Sequence, residues 1–444
     1  NLGYVLEVDL KNPNVTIKAG YKDYQGTSWG MQSTTDQAAA AENKLKQQNP
    51  DTKVVGAVNA NFFNMATGEP SGVLVMNGNE CHPTNTANDY FAVLNDGTAE
   101  IRYGSEPIGD NVVEAMGGNV IILKDGEIVT SRAPETHAQA ERNPRTAIGL
   151  REDGTVVLYV NDGRQAPTSF GMTLNELAEM MKKLGCVDAL NMDGGGSSTF
   201  ATRREGNADL TIHNRPSDGF EREVSGTLLV VSTAKASGEF DHASLAPNGG
   251  LYTPTCPVQF TATGVDSAGA NAELPDGLTW KLGDGCPGSI DQNGLYTPEA
   301  NKTGGVTVYL MQGETEVGET SIDVALPDYI GFASDEVSLG FEASSDLGLL
   351  IRCNEQDIHY TVEDISYELS DNTLGTYNNL IFTTPDGVTG NGTMKISSAY
   401  DPEVNATVKL VIGLLPTVVW DFEDYVNPDT GVVTPAQEYY CGTD

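Results

Sequence analysis

The 444-residue chain is poor in the side chains that build metal and redox sites. Its five His are isolated, with no HExxH pattern. Its six Cys (Cys81, Cys186, Cys256, Cys286, Cys353, Cys441) form no CxxC pair, so no zinc site is expected. Cys256 and Cys286 share one β-rich stretch and could bridge; buried free thiols are the competing reading. No run of 18 apolar residues occurs, which excludes a membrane-spanning helix. Cations are also scarce. With 25 Lys+Arg against 62 Asp+Glu, the net charge of −37 would repel the phosphates of nucleic acid.

What is present is globular: 39% apolar and 20% charged residues, enough for two to four domains. The charge is uneven. Residues 1–234 hold 19 Lys+Arg against 30 Asp+Glu, and residues 235–444 hold 6 against 32. Ten of the eleven Arg lie in the first part, nine of them from Arg132 to Arg222. An acidic chain that gathers its Arg in one region is suited to bind an anion there, with solvated surface Arg as the alternative.

The chain is organised around an apolar run, 186–190, that delivers Asn191, Asp193, Gly194, Gly195, Gly196 and Ser197. Three glycines permit positive φ and close approach, and their N–H groups can converge on an anion. No Lys follows, so this is not a phosphate-binding P-loop; neither GxGxxG nor GxSxG fits. Upstream, the run 54–58 has the length of a buried strand and ends in Asn59-Ala60-Asn61, followed by Gly68-Glu69. Two helices carry end signals. Thr34 with Gln37 has the form of a capping box, and the helix runs to Asn49-Pro50. Thr173 with Glu176 forms a second box, and Gly185 stands at the C′ position.

These signals predict an α+β (mixed α/β) domain over 1–234, followed by all-β Ig-like sandwich domains. From residue 235 helical periodicity vanishes. Residues 278–297 resemble bacterial Ig-like repeats, giving one module over 235–325 and a second over 326–415. The stretch 416–444 is too short for its own core and reads as the start of a further β-module or a tail.

Taken together, the motifs of 54–231 resemble the phosphodiester glycosidase family. Its NGGYF-type motif corresponds to residues 59–63, with both Gly positions replaced. Its GE matches Gly68-Glu69, its RTAIG matches residues 145–149, and its DG matches Asp162-Gly163. The NLDGGGS-like core matches residues 191–197, with Met192 for Leu. The PSD and RxxS elements match residues 216–218 and Arg222 with Ser225.

The resemblance implies cleavage of a sugar-1-phosphodiester on the sugar side. Glycoside cleavage uses carboxyl groups at the anomeric carbon and near the leaving oxygen or water. Asp193 and Glu69 are the leading candidates, with Asp162 and Asp218 behind them; Asp162 also suits orienting Arg164 or a turn. A phosphate leaving group calls for Arg145, Arg222 and Arg164. Asn59, Asn61, Asn191, Gly194, Gly195, Gly196, Ser197 and Ser225 complete the expected substrate-binding set. No cofactor is required, although Asp193, Asp162 and Asn191 offer oxygen ligands for a divalent cation such as Ca2+. A start at Asn1 in strand-like sequence implies a removed export signal. The expected setting is therefore extracellular or on a bacterial cell surface, on phosphate-linked carbohydrate, with the C-terminal modules as separable spacers or anchors to cell wall or glycan. A hydrolase of neutral glycans and a glycan-binding adhesin are the competing classes.

Overall fold

Alternation along the strands decides the layering of the N-terminal domain. The computed structural model describes residues 2–166 and 168–413, plus the short strands Tyr425–Val426 and Val433–Thr434. The reading of 416–444 otherwise lies outside the described residues, as does Cys441. A six-stranded antiparallel sheet has the order Gly3–Val8, Val156–Asn161, Arg145–Arg151, Cys186–Asn191, Ile121–Lys124, Glu127–Ile128. Ile148, Leu158, Val160 and Leu190 point to the main core, and Ala147, Val157, Tyr159 and Ala189 point to the other face. Successive side chains take opposite faces, so strands covered on both sides read as unbroken apolar runs.

The outer face is covered by the helix Leu174–Lys183, through Leu174, Leu177, Ala178 and Met181. Its capping box is formed as expected, with Thr173 Oγ1 accepting from the Glu176 N–H and Glu176 accepting from the Thr173 N–H. The inner face meets a five-stranded sheet of order Thr211–Ile212, Phe200–Thr202, Lys53–Asn59, Gly226–Ser232, Val15–Tyr21. The helix Thr34–Leu45 packs on this second sheet, but its cap is Ser33, which accepts from the Asp36 N–H. The box read from Thr34 and Gln37 does not form. Gln37 is fully buried and donates instead to the carbonyls of Gln32 and Val224, tying the helix to the approach to the Gly226–Ser232 strand.

The rest is all β. One core gathers Val258, Phe260, Tyr296, Val306, Val308, Ile322 and Val324, and another gathers Ile351, Phe382, Met394, Ile396, Val408 and Leu410. Leu251–Tyr252 pairs in parallel with both Thr315–Val324 and Gln356–His359, so backbone hydrogen bonding is continuous across residue 325. Buried Asp364 adds a second tie, accepting from Thr253, Thr255 and Tyr400 hydroxyls at 2.7, 2.8 and 2.6 Å. Cys256 and Cys286 are free thiols, so that bridge is not made.

Candidate active site

The two sheets just described come together at the end of the Cys186–Asn191 strand, and a cavity of about 420 Å3 opens there. Asp193 is fixed from both sheets. Its N–H donates to the Ala60 carbonyl at 2.8 Å, and its carbonyl accepts from Asn59 Nδ2 at 2.6 Å. Asn59 Oδ1 in turn accepts from Thr146 Oγ1 and the Thr199 N–H. Asn59 thus clamps the loop rather than lining the cavity.

The three glycines have individual reasons. Gly195 has φ +64°, and a Cβ there would meet the Arg164 guanidinium at 3.2 Å. At Gly196 a Cβ would lie 2.2 Å from both Arg222 Nη2 and Asp218 Oδ1. At Gly194 it would strike the Pro144 carbonyl at 2.7 Å. The missing side chains leave room for two guanidinium groups to press against the loop.

Three Arg line the cavity with Asp193. Arg145 is 8% exposed; its Nε donates to the Met172 carbonyl and its Nη2 to the Glu141 carbonyl. Among the described residues no carboxylate lies within ion-pair distance of it. Burial lowers its pKa to about 10, opposed by Glu141 and reinforced by Arg164. It therefore carries its charge at neutral pH in a place where an unpaired cation is costly. Arg164 sits at φ +61° and is held by Asn143 Oδ1 at 3.0 and 2.9 Å. Arg222 is paired through Nε and Nη2 with Asp218 Oδ2 at 2.7 and 2.6 Å. Asp218 is thereby a holder of Arg222.

Desolvation raises the Asp193 pKa to about 6, against the lowering effects of Ser197, the Gly194 N–H and Arg222. The Gly194 N–H donates to Asp193 Oδ1 at 2.9 Å. Asn191 lines the same wall, 3% exposed, and its Oδ1 has no partner among the described residues. Buried side-chain oxygens are normally satisfied, so this acceptor is available to a ligand.

Several expected residues are not in this cavity. Glu69 is an exposed loop residue whose carboxylate lies 4.0 Å from His82 Nε2. Asp162 is fully buried and consumed by internal donors: Tyr4 Oη, Asn214 Nδ2 and the Arg215 N–H, at 3.4, 3.2 and 3.1 Å. It anchors the 214–215 turn, whereas Asp193 and Asn191 line the cavity. Asn61 and Ser225 bond each other at 3.3 Å in the interior. In their place the cavity adds Phe62, Asn119, His137, Glu141 and Asn143. His137 and Glu141 pair at 3.0 Å. Their i, i+4 spacing was readable; nothing in it pointed to this cavity.

Residues 52–231 match the family model described as phosphodiester glycosidase. Mouse (Mus musculus) N-acetylglucosamine-1-phosphodiester alpha-N-acetylglucosaminidase is 32% identical over 179 residues, 36% of this chain and 33% of that protein. An SPbeta prophage-derived protein of Bacillus subtilis is 31% identical over 143 residues, 31% of this chain and 21% of that protein. The chain thus spans a fifth to a third of these relatives' length. The zebrafish catalytic domain of the same-named glycosidase, solved in a form auto-inhibited by its pro-peptide, aligns at 22% identity and TM-score 0.40, over 51% of this chain and 76% of that one. Through residues 52–231, the chain carries a domain of the phosphodiester glycosidase family.

Proposed function

We propose that the chain hydrolyses a sugar-1-phosphodiester at the bond between the anomeric carbon and oxygen. The observation that carries this reading is Arg145, a buried cation with carbonyl partners only, lining one cavity with Arg164, Arg222 and Asp193. A buried guanidinium without a carboxylate is matched by an anionic ligand, and a phosphodiester brings one negative charge. The free Asn191 Oδ1 suits a sugar hydroxyl, which donates to it.

In this reading the anomeric C–O bond breaks and its electron pair leaves with the phosphate, now a monoester on the other partner. Phosphate is a good leaving group, so the three Arg neutralise its charge and little protonation is needed. Water supplies hydroxide to the anomeric carbon. Asp193 acts in its ionised form, whether it attacks that carbon first or takes the proton from water. A pKa near 6 leaves it mostly ionised yet basic enough to accept a proton at neutral pH. Asp218 keeps Arg222 in place, and Asn143 does the same for Arg164.

The family relationship supports an N-acetylglucosamine-like sugar, and the β-rich C-terminal half supports an extracellular enzyme working on phosphate-linked glycans, with those modules as its attachment to cell wall or glycan. The experiment is a screen of the purified chain against sugar-1-phosphodiesters and matched neutral glycosides. Turnover confined to the phosphodiesters supports the reading. Equal turnover of neutral glycosides, or binding without turnover, replaces it with the hydrolase of neutral glycans or the adhesin.

A further inference from the structure

A second cavity, about 730 Å3, lies where the N-terminal domain touches the β-rich region. One wall is the tip of a hairpin, Thr168 and Phe170; the other is Asp328, Tyr329, Arg352 and the turn at Asn354 and Glu355. Arg352, the one Arg among residues 235–444, is held by Asp357 at 2.9 Å and reaches Thr168 Oγ1 at 3.3 Å.

Two aromatic side chains here are partly exposed. Phe170 is 54% exposed and Tyr329 45%. A Cβ on Gly331 would lie 2.3 Å from the Tyr329 hydroxyl, so the ring lies along its own strand over a glycine. The Arg352 guanidinium sits 5.9 Å from the centre of that ring. Flat aromatic faces beside amide, carboxylate and guanidinium groups match the alternation of C–H faces and hydroxyls on a sugar. Asp328 and Glu355 at the rim disfavour an anionic ligand.

One stretch of chain serves both cavities. Gln165 and Ser169 exchange both backbone hydrogen bonds at 2.9 Å, and Arg164, at the base of the same hairpin, lines the catalytic cavity. We propose that this groove is a subsite for a neutral oligosaccharide, namely the part of the substrate beyond the phosphate. The side follows from the chain: Arg164, assigned to the phosphate, precedes the groove residues Thr168 and Phe170 in the same hairpin. The assignment of side rests on the proposed reaction; the sugar-binding character of the groove does not.

The test uses Phe170→Ala and Tyr329→Ala in the full chain. Two sugar-1-phosphodiesters are compared, one with a methyl aglycone and one with a neutral tetrasaccharide aglycone. Loss of one aromatic contact is expected to lower kcat/KM on the long substrate about tenfold, through KM. The short substrate should stay within about twofold, because no reacting group is touched. In parallel, neutral tetrasaccharides of glucose, galactose, N-acetylglucosamine and N-acetylgalactosamine are titrated calorimetrically into wild type and both variants. Binding weakened by either variant supports the subsite. Unweakened binding, no binding across the panel, or equal kinetic loss on both substrates overturns it. If neither phosphodiester is turned over, the proposed reaction fails, and the titration still decides the groove.

Discussion

The cavity of the N-terminal domain and the interior of the β-rich region treat buried charge in opposite ways. In the β-rich region Asp364 is fully buried and closed by hydroxyls from Thr253, Thr255 and Tyr400. Asp266 accepts from the N–H groups of Ser237, Gly238, Ala268 and Ala270; burial pushes its carboxyl up, but these donors outweigh it and hold the pKa at about 2. In the N-terminal domain Arg145 has only carbonyls, Asn191 Oδ1 has no described partner, and Asp193 is raised to about 6. Satisfied buried charge holds a fold together, whereas unsatisfied buried charge facing a cavity marks where a ligand completes the set. Asp162 shows that the division follows environment and not domain, since its internal donors place it with the structural group.

The sharpest way to break this comparison is to neutralise one carboxylate of each kind. Asp193→Asn is expected to lower kcat by about a thousandfold, within the range for loss of a catalytic proton-transfer group. It should also stabilise the protein. The folded pKa of about 6 lies above the unfolded value, so ionisation is disfavoured in the fold. That destabilisation is absent below about pH 4, grows to about pH 6 and is constant above, reaching up to about 3 kcal/mol. Wild-type activity should rise through about pH 6 as Asp193 ionises, and Asp193→Asn should lose the slope in thermal stability between about pH 4 and 6.

Asp364→Ala is the structural counterpart. It strands several hydroxyl donors and should lower stability by about 2–4 kcal/mol while leaving kcat on a small substrate unchanged. Denaturant unfolding with parallel kinetics checks both halves. A matching loss of kcat would mean that the two regions are not energetically distinct.

Arg145→Ala tests the anion partner. Charge-assisted contacts contribute about 1.5–3 kcal/mol, so phosphodiester kcat/KM should fall roughly tenfold to a hundredfold more than that of an activated neutral glycoside. Equal losses on the two would make Arg145 structural.

The smallest effect is expected at the junction. Arg352→Ala removes the part-buried hydrogen bond to Thr168 together with the Asp357 pair, and small-substrate kcat/KM should change by no more than about threefold, since of the two it is the Thr168 bond, about 0.5 kcal/mol, that reaches the N-terminal domain. A larger loss would show that the β-rich region sets the position of Arg164 and would count against treating it as a separable spacer.

Much of the fold was legible because apolar runs and caps are local: the Thr173–Glu176 box and the buried strand ending at Asn59 stand where they were read. The central loop was legible through its glycines, whose spacing reflects the guanidinium groups packed on it. Side-chain direction was not. Glu69, Asp162 and Asp193 all follow strand-like runs, yet only Asp193 faces the cavity, since long-range partners such as Asn214 and Arg215 decide where Asp162 turns. His137 lies on the short helix Glu135–Gln139 and Glu141 and Asn143 on the coil after it, and the role of this stretch depends on packing against Arg145 and Arg164. The tie across residue 325 was equally hidden, because the two-residue strand Leu251–Tyr252 has no periodicity of its own.

The most direct measurement is hydrolysis of a sugar-1-phosphodiester in water enriched in oxygen-18, with both products analysed by mass spectrometry. Cleavage at the anomeric carbon, driven by Asp193 with phosphate held by Arg145, Arg164 and Arg222, puts the label on the released sugar and none on the phosphate monoester. Label on the phosphate would mean that water attacks phosphorus, and the assignment of Asp193 to the sugar's anomeric carbon would be wrong.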